Sequence, residues 1–478
     1  MSVVRLLSVE RFFCLALCLA CGLGLGGHAW SQSDTAGRRP VRTKNSDAST
    51  EAWPRFLGAG IDGVASTDPA SIDWQVPPRL LWSLPVGDGY GIGSVQEGRY
   101  FQCDTGPRAG VQIRERTRCL DLATGEEIWS DSDLILFRDM LGYDDGPRSS
   151  PTIDGDRVYT MGVTGILNCR DVKDGRVIWK QDTNQAYGVV QNFFGVGSAP
   201  LILDGRLIVM VGGSPQEDQD LPPMRLDRVN PNGSAVVGLD PLSGKELWRC
   251  GDDLASYSSP RPIRVGDETL VLVFARTGLL AIDPVAGKVR WRFHHRAEVL
   301  ESVNGMVPVV EGSHVFLSEC YEVGSVLLDA SGASPRVVWQ DPMPNRDFSN
   351  QAMRCHWATP VLIDGFLYGG SGRNAPDSNF RCVDFMTGKV QWSDSRQVRS
   401  SVTRVGDRLL VLEERGKLQI VRANPKELDV ITTWDLGESA GKRPALSYPC
   451  WSAPVLVGRK LIVRGTEKVL CLELAAAK

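Results

Sequence analysis

A closed, all-β ring of repeated units is the fold that the sequence predicts, and three observations predict it. The first is a signature, Asp-x3-Gly-x3-Trp, that recurs at Asp121/Gly125/Trp129, Asp171/Gly175/Trp179, Asp240/Gly244/Trp248, Asp283/Gly287/Trp291 and Asp384/Gly388/Trp392. The second is the lack of amphipathic helical periodicity. In its place stand short runs rich in Val, Ile and Leu, such as Arg206 to Val211 and Thr269 to Phe274, among 50 Gly and 28 Pro residues. The third is that the two ends complement each other: one carries a strand without a unit, the other a unit without a last strand. The signature itself reads as a strand end, a tight turn and a new strand. Its Asp can bond the turn backbone, its Gly supplies the positive φ that such turns use, and its Trp closes an apolar run. One copy would be a hairpin; five copies define an internal repeat.

Taken in order, residues 1–29 read as an export leader. Arg5 and Arg11 precede an apolar run from Phe12 to Gly27, followed by the small-residue site Gly27-His28-Ala29. The run is shorter than the ~20 residues that span a bilayer, so no transmembrane span is expected in the mature chain. A lipid anchor at Cys21 is the alternative, because Cys21 follows Leu19-Ala20, although Cys18 stands where such sites usually carry Leu. Residues 30–52 are polar with almost no apolar anchor and read as a disordered tether. Residues 53–478 form the folded domain.

Its first clear strand is Arg79 to Pro85, whose Trp82 has no Asp-x3-Gly before it. One unit then cycles. It opens on Ser-Ser-Pro or Ser-Ala-Pro, passes through Asp-Gly to a second strand, and ends in the signature hairpin, as residues 149–179 show in full. The Pro falls where a strand begins and removes no ladder bond. Other openings are Ser198-Ala-Pro200, Ser258-Ser-Pro260, Ala358-Thr-Pro360 and Ser452-Ala-Pro454. Degenerate copies end at Trp339, with two extra residues, and at Trp434, where Asn424-Pro-Lys replaces the Gly turn. The closing tryptophans are therefore Trp82, Trp129, Trp179, Trp248, Trp291, Trp339, Trp392 and Trp434. Gly213 to Ser234 reads as a surface-loop insertion. The last unit, 452–474, holds three strands and stops before a hairpin Trp. Pairing the Trp82 strand with it completes an eighth sheet and shields both terminal edges. The expectation is an eight-bladed β-propeller of four-stranded antiparallel blades.

Composition bounds the function. A net charge of −4 offers no basic surface suited to nucleic acid. Of twelve cysteines, nine lie beyond the leader, an odd number without a disulfide spacing framework. Cys119, Cys169, Cys382 and Cys471 share one repeat position, held elsewhere by Gly238 or Ala281. A small buried residue is wanted there, and Cys serves as one.

These repeats, with Asp-Gly-x-Val-Tyr followed by Leu-x-Cys/Ala-x-Asp-x3-Gly-x3-Trp, resemble the pyrroloquinoline-quinone (PQQ) propeller repeat over residues 79–474. That family includes PQQ-dependent alcohol dehydrogenases and the cofactor-free BamB-type scaffold of outer-membrane assembly. The entry motif Trp53-Pro-x3-Gly58-x3-Asp62-Gly-Val resembles exported PQQ-like propellers of planctomycete-type bacteria. The resemblance implies the blades and leaves the cofactor open. A quinoprotein dehydrogenase would need carboxylate and amide oxygens around Ca²⁺ and an Asp base. Such enzymes typically also carry adjacent cysteines over the cofactor, and haem-bearing types add Cys-x-x-Cys-His. The sequence has neither motif.

Candidate site residues lie at the blade openings, which face the central funnel. Arg148, Tyr257, Trp357 and Trp451 each stand three positions before an opening Pro, with Arg354 and His356 close by. Aromatic and Arg side chains at one rim suit a binding surface, and equally a packed plug of the funnel. His294-His295 and Asp144-Asp145 read as an exposed loop and a solvated turn rather than metal ligands. The expectation is a non-catalytic, exported scaffold in the periplasm or cell envelope, without cofactor or metal, that binds a protein or polymer partner. The alternative is a PQQ- and Ca²⁺-dependent alcohol or sugar dehydrogenase.

Overall fold

The structure is a computed structural model, and it describes residues 52–107, 112–343, 348–437 and 445–478. The leader, the Cys21 site and nearly all of the tether lie outside these residues. The described strands form eight sheets around one axis, an eight-bladed β-propeller. In chain order the blades occupy residues 94–135, 152–182, 201–250, 261–294, 309–340, 361–394, 401–435 and 455–473, numbered 1 to 8 below. Blade 8 takes its fourth strand from Arg79–Pro85, which pairs antiparallel with Lys468–Glu473 in the register Trp82↔Cys471. This clasp joins the ends as the sequence requires. No helix among the described residues is long and apolar enough to cross a membrane.

The signature builds the joints between blades. In the hairpin of blade 3, Asp240 Oδ1 accepts from Leu242 N at 2.9 Å and Gly244 N donates to Asp240 O at 2.8 Å. Trp248 then projects onto the turn of blade 4, and its Nε1 donates to Pro284 O at 3.0 Å. The same bond links Trp82 to Leu122, Trp129 to Val172, Trp179 to Pro241, Trp339 to Phe385 and Trp392 to Asn424. Across from most of the tryptophans in their own blades lies a small residue, Cys119↔Trp129, Cys169↔Trp179, Gly238↔Trp248, Ala281↔Trp291 and Cys382↔Trp392, while Trp339 faces Leu327. A Cβ on Gly238 would stand 2.2 Å from the Trp248 ring, so blade 3 needs glycine at that slot. Cys119, Cys169, Cys382 and Cys471 are fully buried free thiols.

Trp434 departs from this pattern. It faces Leu418, while Thr432 faces Ile420 in the slot that the other tryptophans hold. The Asn424-Pro-Lys turn lacks the Asp-x3-Gly spacing, so the Trp arrives two residues late; it is buried all the same.

A strap before the clasp crosses one end of the ring. Trp53 pairs with Val95 of blade 1, Pro54 O accepts from Ile153 N of blade 2, and Arg55 reaches Ile202 O of blade 3. Phe56 and Leu57 pass the axis. Val64–Ala65 then adds a parallel fifth strand to blade 7, and Thr67 donates to Gly458 O of blade 8. Leu57 and Ile61 hold left-handed backbone, φ 59° and 54°, kept there by burial in a cluster with Leu201, Val273 and Val307.

Three local expectations change. His295 is a buried residue whose Nε2 lies 3.1 Å from Gly324 O, and only His294 is exposed. Asp144 is no solvated turn, since it accepts from Gly89 N and Gly146 N, both at 2.6 Å. The 213–234 insertion keeps a small core of its own, where Leu226 and Val229 pack with Val190 and Leu254.

Candidate functional site

The strand openings converge on the axis, and their spacing follows from a bond repeated between neighbouring blades. Ser94 Oγ donates to Pro151 O at 2.6 Å, Thr152 Oγ1 to Pro200 O at 2.7 Å and Thr403 Oγ1 to Pro454 O at 2.5 Å. Each bond fixes where the next opening strand begins. Three residues before each opening position stand Tyr90, Arg148, Gly197, Tyr257, Gly305, Trp357, Arg399 and Trp451 for blades 1 to 8.

All of them but Arg399 line a cavity of about 200 Å³. Phe56 and Leu57 of the strap floor it, so it opens at one face of the ring only. Its wall is a run of aromatic contacts. Tyr257 meets Phe194 at 5.4 Å between centroids, Phe194 meets Tyr143 at 5.5 Å, and Tyr143 meets Trp451 at 5.9 Å. Trp451 meets Tyr90 and Trp357, each at 4.9 Å, and His356 meets Trp357 at 4.4 Å and Tyr321 at 5.7 Å. The pairs are tilted or edge-to-face, arrangements that aromatic rings prefer over a face-to-face sandwich.

Three guanidinium groups sit among the rings. Arg148 is tied to Asp139 Oδ2 at 2.6 Å and lies 5.7 Å from the Tyr90 centroid. Arg399 lies 5.5 Å from the Trp451 centroid and 3.2 Å from Glu414 Oε2, which also accepts from Trp451 Nε1. Arg373 lies 4.8 Å over Tyr321 and has no ion-pair partner among the described residues. Burial, with the charges of Arg373 and Arg399 added, pushes His356 down to about 3, so it is neutral at physiological pH. Its Nε2 shares a 3.2 Å hydrogen bond with the Tyr321 hydroxyl. Burial pushes the Tyr257 phenol up, and its oxygen accepts from Phe194 N at 3.0 Å. The described lining carries hydroxyl, imidazole and guanidinium groups, and no carboxylate or side-chain amide.

Of the six residues singled out in the sequence, Arg148, Tyr257, His356, Trp357 and Trp451 line this cavity. Arg354 does not. Its guanidinium is buried between blades 5 and 6, held by Asp377 at 2.5 Å and Cys320 O at 2.7 Å and stacked 3.8 Å from the Phe348 centroid. Two further rim residues were readable by the same rule, with a small or apolar residue in place of Pro: Gly93 marks Tyr90, and Val402 marks Arg399. Phe56, Tyr143, Phe194, Tyr321 and Arg373 carry no positional signal, since loops and the strap bring them in.

Comparison with known proteins agrees with this architecture. A family model described as outer membrane protein assembly factor BamB matches residues 114–230 and 232–430. An uncharacterized protein of Rickettsia prowazekii is 23% identical over 337 residues, covering 67% of this chain and 72% of that protein. The outer membrane protein assembly factor BamB of Shewanella oneidensis is 21% identical over 420 residues, covering 84% of this chain and 90% of that one. Among solved structures, a europium-containing methanol dehydrogenase superposes with TM-score 0.62 at 12% identity over 88% of this chain and 90% of that one, a likeness of fold alone.

Proposed function

The chain belongs to the PQQ-like propeller family whose model is described as outer membrane protein assembly factor BamB, and from that premise we propose that it is a non-catalytic, exported scaffold of the cell envelope. Its axial cavity and the rim around it receive a protein or polymer partner. The observation that carries this reading is the composition of the wall: aromatic faces and guanidinium groups, the side chains that dominate recognition surfaces, gathered at one mouth.

The same wall speaks against the dehydrogenase reading. Ca²⁺ takes six to eight oxygen ligands, mostly carboxylate and amide, and the quinoprotein mechanism adds a carboxylate base. The described lining offers hydroxyls beside cations, a donor set that does not fit a Ca²⁺–PQQ pair. The proposal is tested by capture from an envelope fraction. The wild-type chain should retain a specific partner, and a Trp357→Ala, Trp451→Ala variant of unchanged melting temperature should lose it. Stoichiometric PQQ binding with dye-linked oxidation of an alcohol or aldose would overturn the reading.

A further inference from the structure

Resting on the reading of the rim as a recognition site, we infer that the axial cavity receives one acidic sugar residue, a uronic-acid unit, at the end of a polymer chain. Four features of the cavity select that ligand.

The first is that the cavity is blind. A polymer threaded through the ring needs two openings, and the strap closes one of them with Phe56 and Leu57. What enters is therefore an end. The second is size. An apolar cavity of about 150 Å³ takes benzene, so about 200 Å³ has room for a single six-membered ring with small substituents.

The third is the wall. Trp357, Trp451 and Tyr90 line the cavity, and aromatic rings pack on the C–H surface of a pyranose while leaving its edge free to hydrogen-bond. Two polar atoms of lining residues lie buried just under this wall. Ser150 Oγ and His356 Nδ1 have no hydrogen-bond partner among the described residues, and Ser150 is 2% exposed. An unpaired buried polar atom is costly, and a ligand hydroxyl, donor and acceptor at once, satisfies either atom when a small side-chain shift opens it to the cavity. His356 Nδ1 is a donor or an acceptor according to the ring's tautomer, and a hydroxyl meets it in either role.

The fourth is charge. His356 is neutral, Arg148 and Arg399 are held by Asp139 and Glu414, and the described lining holds no carboxylate. Arg373 is left as a cation at the mouth with no counter-charge among the described residues. A planar guanidinium pairs a carboxylate through two parallel bonds. A neutral sugar would leave Arg373 unused.

The test is titration calorimetry of the full chain with a galacturonic acid trimer and, separately, with a neutral galactose trimer. The acidic trimer should bind at least about tenfold more tightly, a difference of ~1.4 kcal/mol. A longer galacturonate should bind one protein per chain end. Arg373→Gln should lower the affinity for the acidic trimer about tenfold and leave the neutral trimer unchanged, while Trp357→Ala should weaken both. Equal binding of the two trimers, an Arg373→Gln variant that binds like wild type, or displacement of the trimer by a peptide carboxyl terminus at lower concentration would each overturn the inference. An envelope partner that is lost on Trp357→Ala but not released by galacturonate overturns the inference alone and leaves the scaffold reading standing. Turnover with PQQ and Ca²⁺ overturns both.

Discussion

A closing Trp of the regular repeat does two jobs, and the chemistry of its neighbours records both. Trp248 covers Gly238 in its own blade and lies over Gly287 in the next, where a Cβ would come within 2.3 Å of its ring. Gly287 also has φ +63°, so an Ala there meets strain and a clash together. Gly287→Ala should destabilise the chain by about 2–3 kcal/mol, read as a lowered urea midpoint at constant slope. Trp248→Ala should cost about 3 kcal/mol, the low end for a buried Trp because this one is half-buried and its lost bond is to a backbone carbonyl. Neither substitution lies near the axial cavity, and binding measured on the folded fraction should not change. Sequence spacing revealed this joint because Asp, Gly and Trp are each required at fixed offsets. It did not reveal Arg464, fully buried where blade 8 meets blade 1, whose guanidinium donates to Gly91 O at 2.5 Å and Cys103 O at 3.3 Å. Nothing local marks an arginine whose acceptors lie more than 350 residues away in the chain.

Two short N-terminal elements divide the work of closure. The clasp Arg79–Pro85 supplies a whole edge, and without it Lys468–Glu473 presents unpaired backbone groups to solvent. The strap buries side chains instead, Trp53, Leu57 and Ile61 each below 5% exposure. Burying such side chains stabilises by ~1.5–3 kcal/mol apiece. A chain that starts at residue 68 should therefore fold with its clasp intact, melt at a lower temperature and have an axial cavity open at both faces. A chain that starts at residue 86 should elute as aggregate in size exclusion. Soluble, monomeric protein from the second truncation would show that the ring closes without its eighth sheet being complete. The clasp was legible because Trp82 is a hairpin Trp without a hairpin. The strap was not, since its bonds to blades 1, 2, 3, 7 and 8 have no pattern along the chain.

Over the whole molecule, buried carboxyls set a pH dependence. Burial raises Glu115 from an ordinary value of 4.5 to about 7, and Asp341 from 3.8 to about 6. Glu115 accepts from Val163 N at 2.9 Å, and Asp341 accepts from Ser325 N at 2.6 Å and Ala352 N at 2.8 Å. Both groups bind a proton more tightly folded than unfolded. Their contribution is fully present below the unfolded carboxyl range and is lost as pH rises through about 6 and then about 7. The melting temperature should fall between pH 5 and pH 7.5 by an amount equivalent to ~1–3 kcal/mol, and Glu115→Gln should flatten that slope. The sequence by itself determined the repeat, the number of blades and the clasp, because each follows from short-range spacing of turn residues, β-forming runs and tryptophans. It also located the rim, since position relative to an opening Pro is local information. Only the tertiary structure decided that the funnel is a blind cavity, that Arg354 turns away from it, and that Tyr143, Phe194, Tyr321 and Arg373 complete its wall. A cavity at the axis of a ring is made where eight distant segments meet, and no stretch of one chain records what the other seven bring to it.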